Sequence, residues 1–329
     1  MKRSYLALAV VALMLLITMG VNNYAIAAPK TYTLRLAVEH PTGHPYTLGV
    51  EKFAEMLEER TNGQVKVLIY PGGQLGTAKE STEACVMGAV DFSVAMTAIL
   101  ENYDQRFEVM SMPFVFRDFD HMFKTVDGPF GDRMNSWGEP KGFKIIGCLL
   151  NGDLHVVSRV PVNGPADMKG IKLRTQQARS MIEFGKVLNC VVSPMPYGEI
   201  FTALQLGTID AEVQNIANLV VDKHYEVAGY YNETAVFFYV NPIIVSMTTY
   251  NRLPADIQEA IVDCGLQAAR WQRAYVLDKR DKEYIPFLKK HMKFAPADQA
   301  AWKKALEDTG YYENFKQHKE LLDEIAAVE

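Results

Sequence analysis

The sequence predicts an α/β protein organised as two lobes. Three observations lead there. Short β-rich runs alternate with helical patterns, a second series of the same kind begins near residue 142, and a long β-rich run interrupted by Pro242 precedes a helix long enough to span two domains. The 329 residues are 49% hydrophobic and 22% charged, enough for two domains of ordinary size, each with its own core. A formal charge of −5 and the lack of any basic run exclude a nucleic-acid partner.

Residues 1–27 read as a signal peptide, outside the fold. Lys2 and Arg3 form a basic start, Leu6 to Met19 is uncharged and apolar, and Ala25-Ile26-Ala27 places small residues at −3 and −1 of a cleavage site. The apolar stretch is shorter than the ~20 residues a spanning helix needs. An uncleaved anchor is the alternative.

From there each element follows from its pattern. TYTLRLAVE is a strand with Leu34, Leu36 and Val38 on one face. Val50, Phe53, Ala54 and Leu57 fall at helical spacing, and Asn62-Gly63 supplies the stop. QVKVLIYP, AKESTEACVMG and DFSVAMT continue as strand, helix and strand. In the second series GFKIIGCLL, DLHVVSRV, IKLRT and CVVSPMP read as four strands, with helices at RSMIEFGKVL and GEIFTALQLG. This rhythm implies a largely parallel sheet covered on both faces. ETAVFFYVNPIIVSMTT must break, bulge or lie at an edge at Pro242, since proline cannot donate to the ladder. Pro254 is placed to begin a helix whose stripe Ile257, Ile261, Cys264, Ala268, Trp271 and Tyr275 steps by fours and threes towards Tyr284. The interior Gly265 leaves a broken helix as the alternative.

The four cysteines, Cys85, Cys148, Cys190 and Cys264, form no CxxC and are too sparse for a disulfide scaffold; the helical patterns around Cys85 and Cys264 favour buried thiols there. No nucleophile elbow, zinc-protease motif or phosphate loop occurs. His40 and His44 are the nearest approach to a metal pair, but Pro41 and Pro45 keep them off one helix face and no third ligand accompanies them. No cofactor or metal site is therefore expected. Arg174 stands out at a strand end, with Ile171 and Leu173 on the alternate face. A guanidinium so placed can grip a carboxylate or sulfonate with two parallel hydrogen bonds, or make an interlobe salt bridge; the pattern leaves both open.

From DMKGIKLR the chain resembles the solute-binding proteins of TRAP transporters, the DctP family. EKFAEMLEERTNGQVKVLIYPGGQLG, MPFVFRDFDHMFKTVDGPFGD, VSPMPYGEIFTALQLGTIDAEVQN and LPADIQEAI agree with it in order, over essentially the whole chain after residue 28. The resemblance implies a two-lobed periplasmic binding protein with hinge strands and a long bracing helix, the first lobe at 28–151 plus 240–279 and the second at 152–239 plus 280–329. It implies a receptor that closes around one small organic anion and delivers it to a small and a large membrane-embedded permease subunit driven by a sodium gradient. By the same resemblance Arg174 is the ligand-gripping arginine, Tyr197 the aromatic that packs on the ligand, Gln214 with the adjacent Asn215 a polar contact, and Glu39 a cleft-facing position. One departure matters. Many members carry a second arginine in an NG-x-R segment, where this chain has Asn151-Gly152-Asp153-Leu154. With Leu154 there and Glu39 near the cleft, a small monoanion (carboxylate or short sulfonate) fits better than a C4-dicarboxylate, whose second charge would be desolvated without a cation; a C4-dicarboxylate or a sugar acid is the alternative within the family. His155 or Arg159 offers a route to the missing charge. Tyr239, with Phe237 and Phe238, is placed to narrow the pocket, although core packing is expected for at least two of the three. An enzyme at the same cleft would need a nucleophile, metal or acid–base pair near Arg174, and no convincing set is present. A receptor feeding a signalling partner is a third possibility.

Overall fold

Alternating apolar residues set the first strand of the computed structural model, which describes residues 30–329; the expected signal peptide lies outside them. Strand β1 (Tyr32–Ala37) buries Leu34 and Leu36 and runs parallel to β2 (Val65–Tyr70) on one side and β3 (Phe92–Val94) on the other. The helix Pro45–Arg60 crosses between β1 and β2. It starts on proline, where the missing N–H costs nothing, and its Val50, Phe53 and Leu57 are fully buried. Beyond Thr61, Gly63 donates its N–H back to Glu58 O at 2.8 Å from a positive φ of 76°, closing the helix as the Asn62-Gly63 pair implies.

The two segments GFKIIGCLL and DLHVVSRV are not separate strands. They join as the 16-residue β4 (Phe143–Ser158), which pairs antiparallel along nearly its whole length with the 17-residue β8 (Tyr230–Ser246). The chain passes the junction through Gly152, at φ +129°, which lets the strand bend between the register positions Leu150↔Val240 and Gly152↔Tyr239. β8 also continues through Pro242. The nearest register shift lies one position on, between Ile145 and Gly147, and the Pro242 carbonyl still accepts from Ala95 N–H at 2.9 Å.

This β4–β8 ribbon carries a half-sheet at each end. β3 pairs with the C-terminal part of β8, while β7 (Ala211–Gln214) pairs with the C-terminal part of β4 and leads to β5 (Lys172–Thr175) and β6 (Val191–Pro194). The strand order is β2-β1-β3-β8-β4-β7-β5-β6, with β9 (Lys293–Pro296) beside β8. Each half-sheet is covered on both faces: Leu36, Phe53 and Ile261 against Phe107, Phe143 and Ile244 in one lobe, Phe184, Phe237 and Trp302 against Val157, Ile200 and Leu288 in the other. The final helix, Lys319–Ala326, departs from the expected placement of 280–329 on the second lobe: Ile325 sinks into the Phe107–Phe143 cluster and accepts from His121 Nε2 at 2.8 Å.

The bracing helix Ala255–Lys279 runs unbroken through Gly265, with Pro254 as its N-cap, and ends in a π-turn over Arg280–Tyr284. Its buried face differs from the apolar stripe. Trp271 is 40% exposed, whereas Gln272 and Arg273 are buried. The reason is the bend in β4. Gln272 accepts from Leu150 N–H at 2.8 Å and donates to Leu150 O at 3.1 Å, and Arg273 Nε donates to Cys148 O at 2.9 Å. The helix side chains thus satisfy backbone groups at the register shift. Gly265 meets Gly147 at the crossing: a Cβ on Gly265 would lie 2.5 Å from Ile146 O. All four cysteines are free, and burial pushes the Cys148 thiol up to about 12. Among the described residues no helix is long and apolar enough to cross a membrane.

Because the atom facing Gly265 is backbone, Gly265→Ala is expected to lower stability by ~1–3 kcal/mol in equilibrium chemical denaturation. A change within about 0.5 kcal/mol, the usual range for a surface substitution, would show that helix and strand are not in contact there.

Candidate functional site

Strand alternation decides which way Arg174 points. Its neighbour Leu173 is buried with Phe184 and Phe237, so Arg174 emerges on the opposite face of β5, the face that Glu212 and Gln214 share on β7. The residue is 4% exposed. Its Nε and Nη2 both donate to Met195 O, at 3.3 and 3.0 Å, and among the described residues it forms no ion pair. Burial pulls the guanidinium below its usual range, opposed through space by Glu212 and Glu39, yet arginine stays charged. The result is a buried cation with the Nη1/Nη2 end of its fork uncommitted.

A small cavity of about 20 Å³ lies beside it, lined by Glu39, Lys79, Arg174, Gln176, Met195 and Tyr197 among others. Lys79 is exposed, which leaves Arg174 as the buried cation of the lining. Burial raises the Glu39 carboxyl, although a backbone hydrogen bond from Ala78 and the Arg174 charge both oppose it.

Tyr197 sits on a short 3₁₀ turn, with its ring centroid 4.7 Å from that of His40. His40 in turn lies 4.2 Å from His44 and 4.7 Å from Tyr46. Burial lowers both imidazoles, His44 to about 4, so they are neutral near pH 7. His44 Nδ1 accepts from Tyr46 N–H, so Nε2 carries the proton and donates to Asn218 Oδ1 at 2.9 Å. Glu39 Oε2, His40 Nε2 and Tyr46 Oη are buried without a hydrogen-bond partner among the described residues.

Gln214 and Asn215 do not line that cavity. They join a polar network behind it: Gln214 donates to Glu212 at 3.0 Å and accepts from Asn218 at 2.9 Å, while Asn215 donates to Asn151 Oδ1. The network links the β4 bend to both half-sheets. Tyr239 is fully buried. Its hydroxyl accepts from Ala98 N–H at 2.6 Å and donates at 3.2 Å to Gln176, so it fixes a cavity side chain without lining the cavity. Phe237 packs on Phe184 and Phe238 on Phe119.

His155 is placed for a different task. Between Leu154↔Phe237 and Val156↔Asn232, β8 carries extra residues, and His155 Nδ1 accepts the freed N–H of Ala235 at 3.1 Å. Its Nε2 lies 3.0 Å from Asp153, which also pairs with Arg280 at 2.7 Å. His155 therefore supports the bulge and does not reach the cavity as a ligand contact. Arg159 is also elsewhere, against Gly207 and Asp210, and Leu154 is core. Among the described residues, no second buried cation joins Arg174 in the cavity lining.

Several residues escaped the sequence reading: Gln176, Met195, Tyr46, Glu212 and His224. Glu212 is fully buried and accepts from His224 Nδ1 at 2.7 Å. Burial works to lower His224, but Glu212 overcomes it and the net shift is upward. Asp222 is raised by burial and accepts from the Tyr197 hydroxyl at 2.5 Å. Alternation in Ala211-Glu212-Val213-Gln214 carried a signal for Glu212; nothing in the sequence signalled His224.

Comparison with known proteins identifies the family. Residues 36–317 match the family described as bacterial extracellular solute-binding protein, family 7 (DctP). The 2,3-diketo-L-gulonate-binding periplasmic protein of Escherichia coli is 29% identical over 264 residues, covering 80% of each chain. A TRAP periplasmic solute binding protein from Citrobacter koseri, solved with bound D-glucuronate, superposes with a TM-score of 0.85 at 28% identity, covering 90% of this chain and 99% of that one. A second from Polaromonas, bound to D-erythronate, gives 0.86 at 25% identity, covering 91% and 99%. With its two lobes, ribbon and bracing helix, the chain belongs to the DctP family of bacterial extracellular solute-binding proteins.

Proposed function

We propose that this chain is the periplasmic receptor of a TRAP transporter and that it holds one small hydroxylated monocarboxylate between its lobes. The observation that carries this reading is Arg174: a buried guanidinium with no ion pair among the described residues and three N–H donors uncommitted, in the lining of a small cavity that it shares with Glu39 and Tyr197. A carboxylate completes its hydrogen bonding and its charge at once. Glu39 argues against a second negative charge on the ligand. The buried, unpartnered Glu39 Oε2 in the cavity lining suits a hydroxyl group, which can both donate and accept. Similarity to receptors solved with D-glucuronate and D-erythronate supports a sugar acid over a short sulfonate.

In this reading Arg174 anchors, Tyr197 packs on the ligand, Glu39 selects, and Gln214, Asn215 and Tyr239 hold the wall in register. The lobes meet at the β4–β8 bend, near 151/152 and 239/240, and closure about it excludes water from the ion pair. The receptor performs no reaction. It is exported by the 1–27 signal peptide and passes its ligand to the small and large permease subunits.

Thermal-shift screening of refolded, ligand-free protein against D-glucuronate, D-galacturonate, D-erythronate, succinate and isethionate tests the class. A ligand at 1,000 times its Kd adds about 4 kcal/mol, a rise of several degrees in Tm. A sugar-acid hit is expected. A response to succinate alone would show that a second cation completes the site.

Arg174→Lys is expected to weaken binding of the identified acid by well over tenfold, by about 2 kcal/mol or more, since one ammonium cannot reproduce the planar fork. Calorimetric titration giving near-normal affinity would remove Arg174 from the anchoring role.

A further inference from the structure

We infer that His224 is a positioning residue that keeps Glu212 off Arg174 and so leaves the guanidinium free for the ligand. The inference rests on the anchoring role of Arg174. It begins with a conflict in the sheet. Arg174 and Glu212 are direct partners in the β5–β7 register and emerge on the same face, both almost fully buried. A buried carboxylate beside a buried guanidinium would ordinarily close on it, because each charge is costly to leave alone. A receptor whose arginine was already paired would have to break that pair to take up an anion.

The pair does not form. Glu212 Oε1 is held by His224 Nδ1 at 2.7 Å and Oε2 by Gln214 Nε2 at 3.0 Å, so both carboxylate oxygens point into the network and Arg174 rests on the neutral Met195 carbonyl. Gln214 alone supplies a dipole. His224 can supply a charge, and a protonated imidazole neutralises Glu212 where a neutral one leaves its field on Arg174. The groups facing His224 are Glu212 on β7, Asp222 at the end of the helix Ile216–Val221, Arg174 on β5, and the rings of Tyr197 and Phe201. The two carboxylates favour the imidazolium and Arg174 opposes it, with a net upward shift.

The sign follows. Below the raised value of His224 the imidazolium offsets Glu212 and the anion site is at full strength. As pH rises through it, Glu212 competes for Arg174 and affinity falls. Asp222 and Glu39 also titrate near the site, so removing Glu212 is the control that isolates this coupling.

The test is calorimetric titration of D-glucuronate and D-erythronate at about pH 6 and about pH 9, on either side of the usual histidine range. Wild type is expected to bind more tightly at the lower pH. His224→Asn should weaken binding about tenfold or more at the lower pH and flatten the profile, and Glu212→Gln in that background should restore affinity. Glu212→Gln alone should remove the pH dependence, which serves if His224→Asn does not fold. Unchanged affinity and an unchanged pH profile in both single variants would overturn the role. If neither acid binds wild type, the ligand class is wrong, and the ligand-free crystal structure of the variant decides separately: with His224→Asn, or with His224→Gln should the first not fold, Arg174 is expected within ion-pair distance of Glu212. Arg174 remaining on Met195 would overturn the inference.

Discussion

The structure is organised around a positive charge that is almost wholly buried and, among the described residues, given no opposite charge to touch. A buried guanidinium costs several kcal/mol in lost hydration, and proteins ordinarily recover that with an ion pair. Among the described residues Arg174 has only one peptide carbonyl, with carboxylates acting from a distance. The surrounding arrangement maintains that condition: Glu212 is turned away into a network, His40 and His44 are kept neutral by burial, and the aromatic walls exclude solvent. In the proposed role this is preorganisation, since the charge is desolvated before the ligand arrives and its gain is realised on binding.

Such a site needs two rigid walls and a joint between them. The β4–β8 ribbon supplies the joint, and its bend leaves backbone groups that neither strand can satisfy. The bracing helix answers them with Gln272 and Arg273 and approaches closely enough to do so because Gly147 and Gly265 carry no side chains. The position at which the ribbon bends also places Asn151 against Asn215, tying the polar network behind the cavity to the same joint. Fold and site share one set of constraints.

Most of the architecture was legible in the sequence because it rests on periodicity. The strand–helix rhythm, the helix stop at Asn62-Gly63 and the unbroken length of the bracing helix all follow from local patterns. Three features were not local. Two strands fused into β4 because a glycine at positive φ can carry a bend, which a pattern of apolar runs cannot distinguish from a turn. Trp271 turned outwards because polar side chains were needed at the strand bend, so tertiary demand overrode the apolar stripe. His155 looked available for an anion, but the bulge in β8 that claims it is visible only once the strands are paired. Arg174 stood out from its strand end, whereas Glu39, like the role of Arg174, came from family resemblance. Glu212 and His224 lie 12 residues apart and meet only through the fold.

The crystal structure of the protein with D-glucuronate or D-erythronate tests the central claim most directly. The account predicts the acid between the lobes with both carboxylate oxygens on the Nη1/Nη2 end of Arg174 and a hydroxyl towards Glu39. A carboxylate bound away from Arg174, with the guanidinium still engaged only by Met195 O, would contradict it.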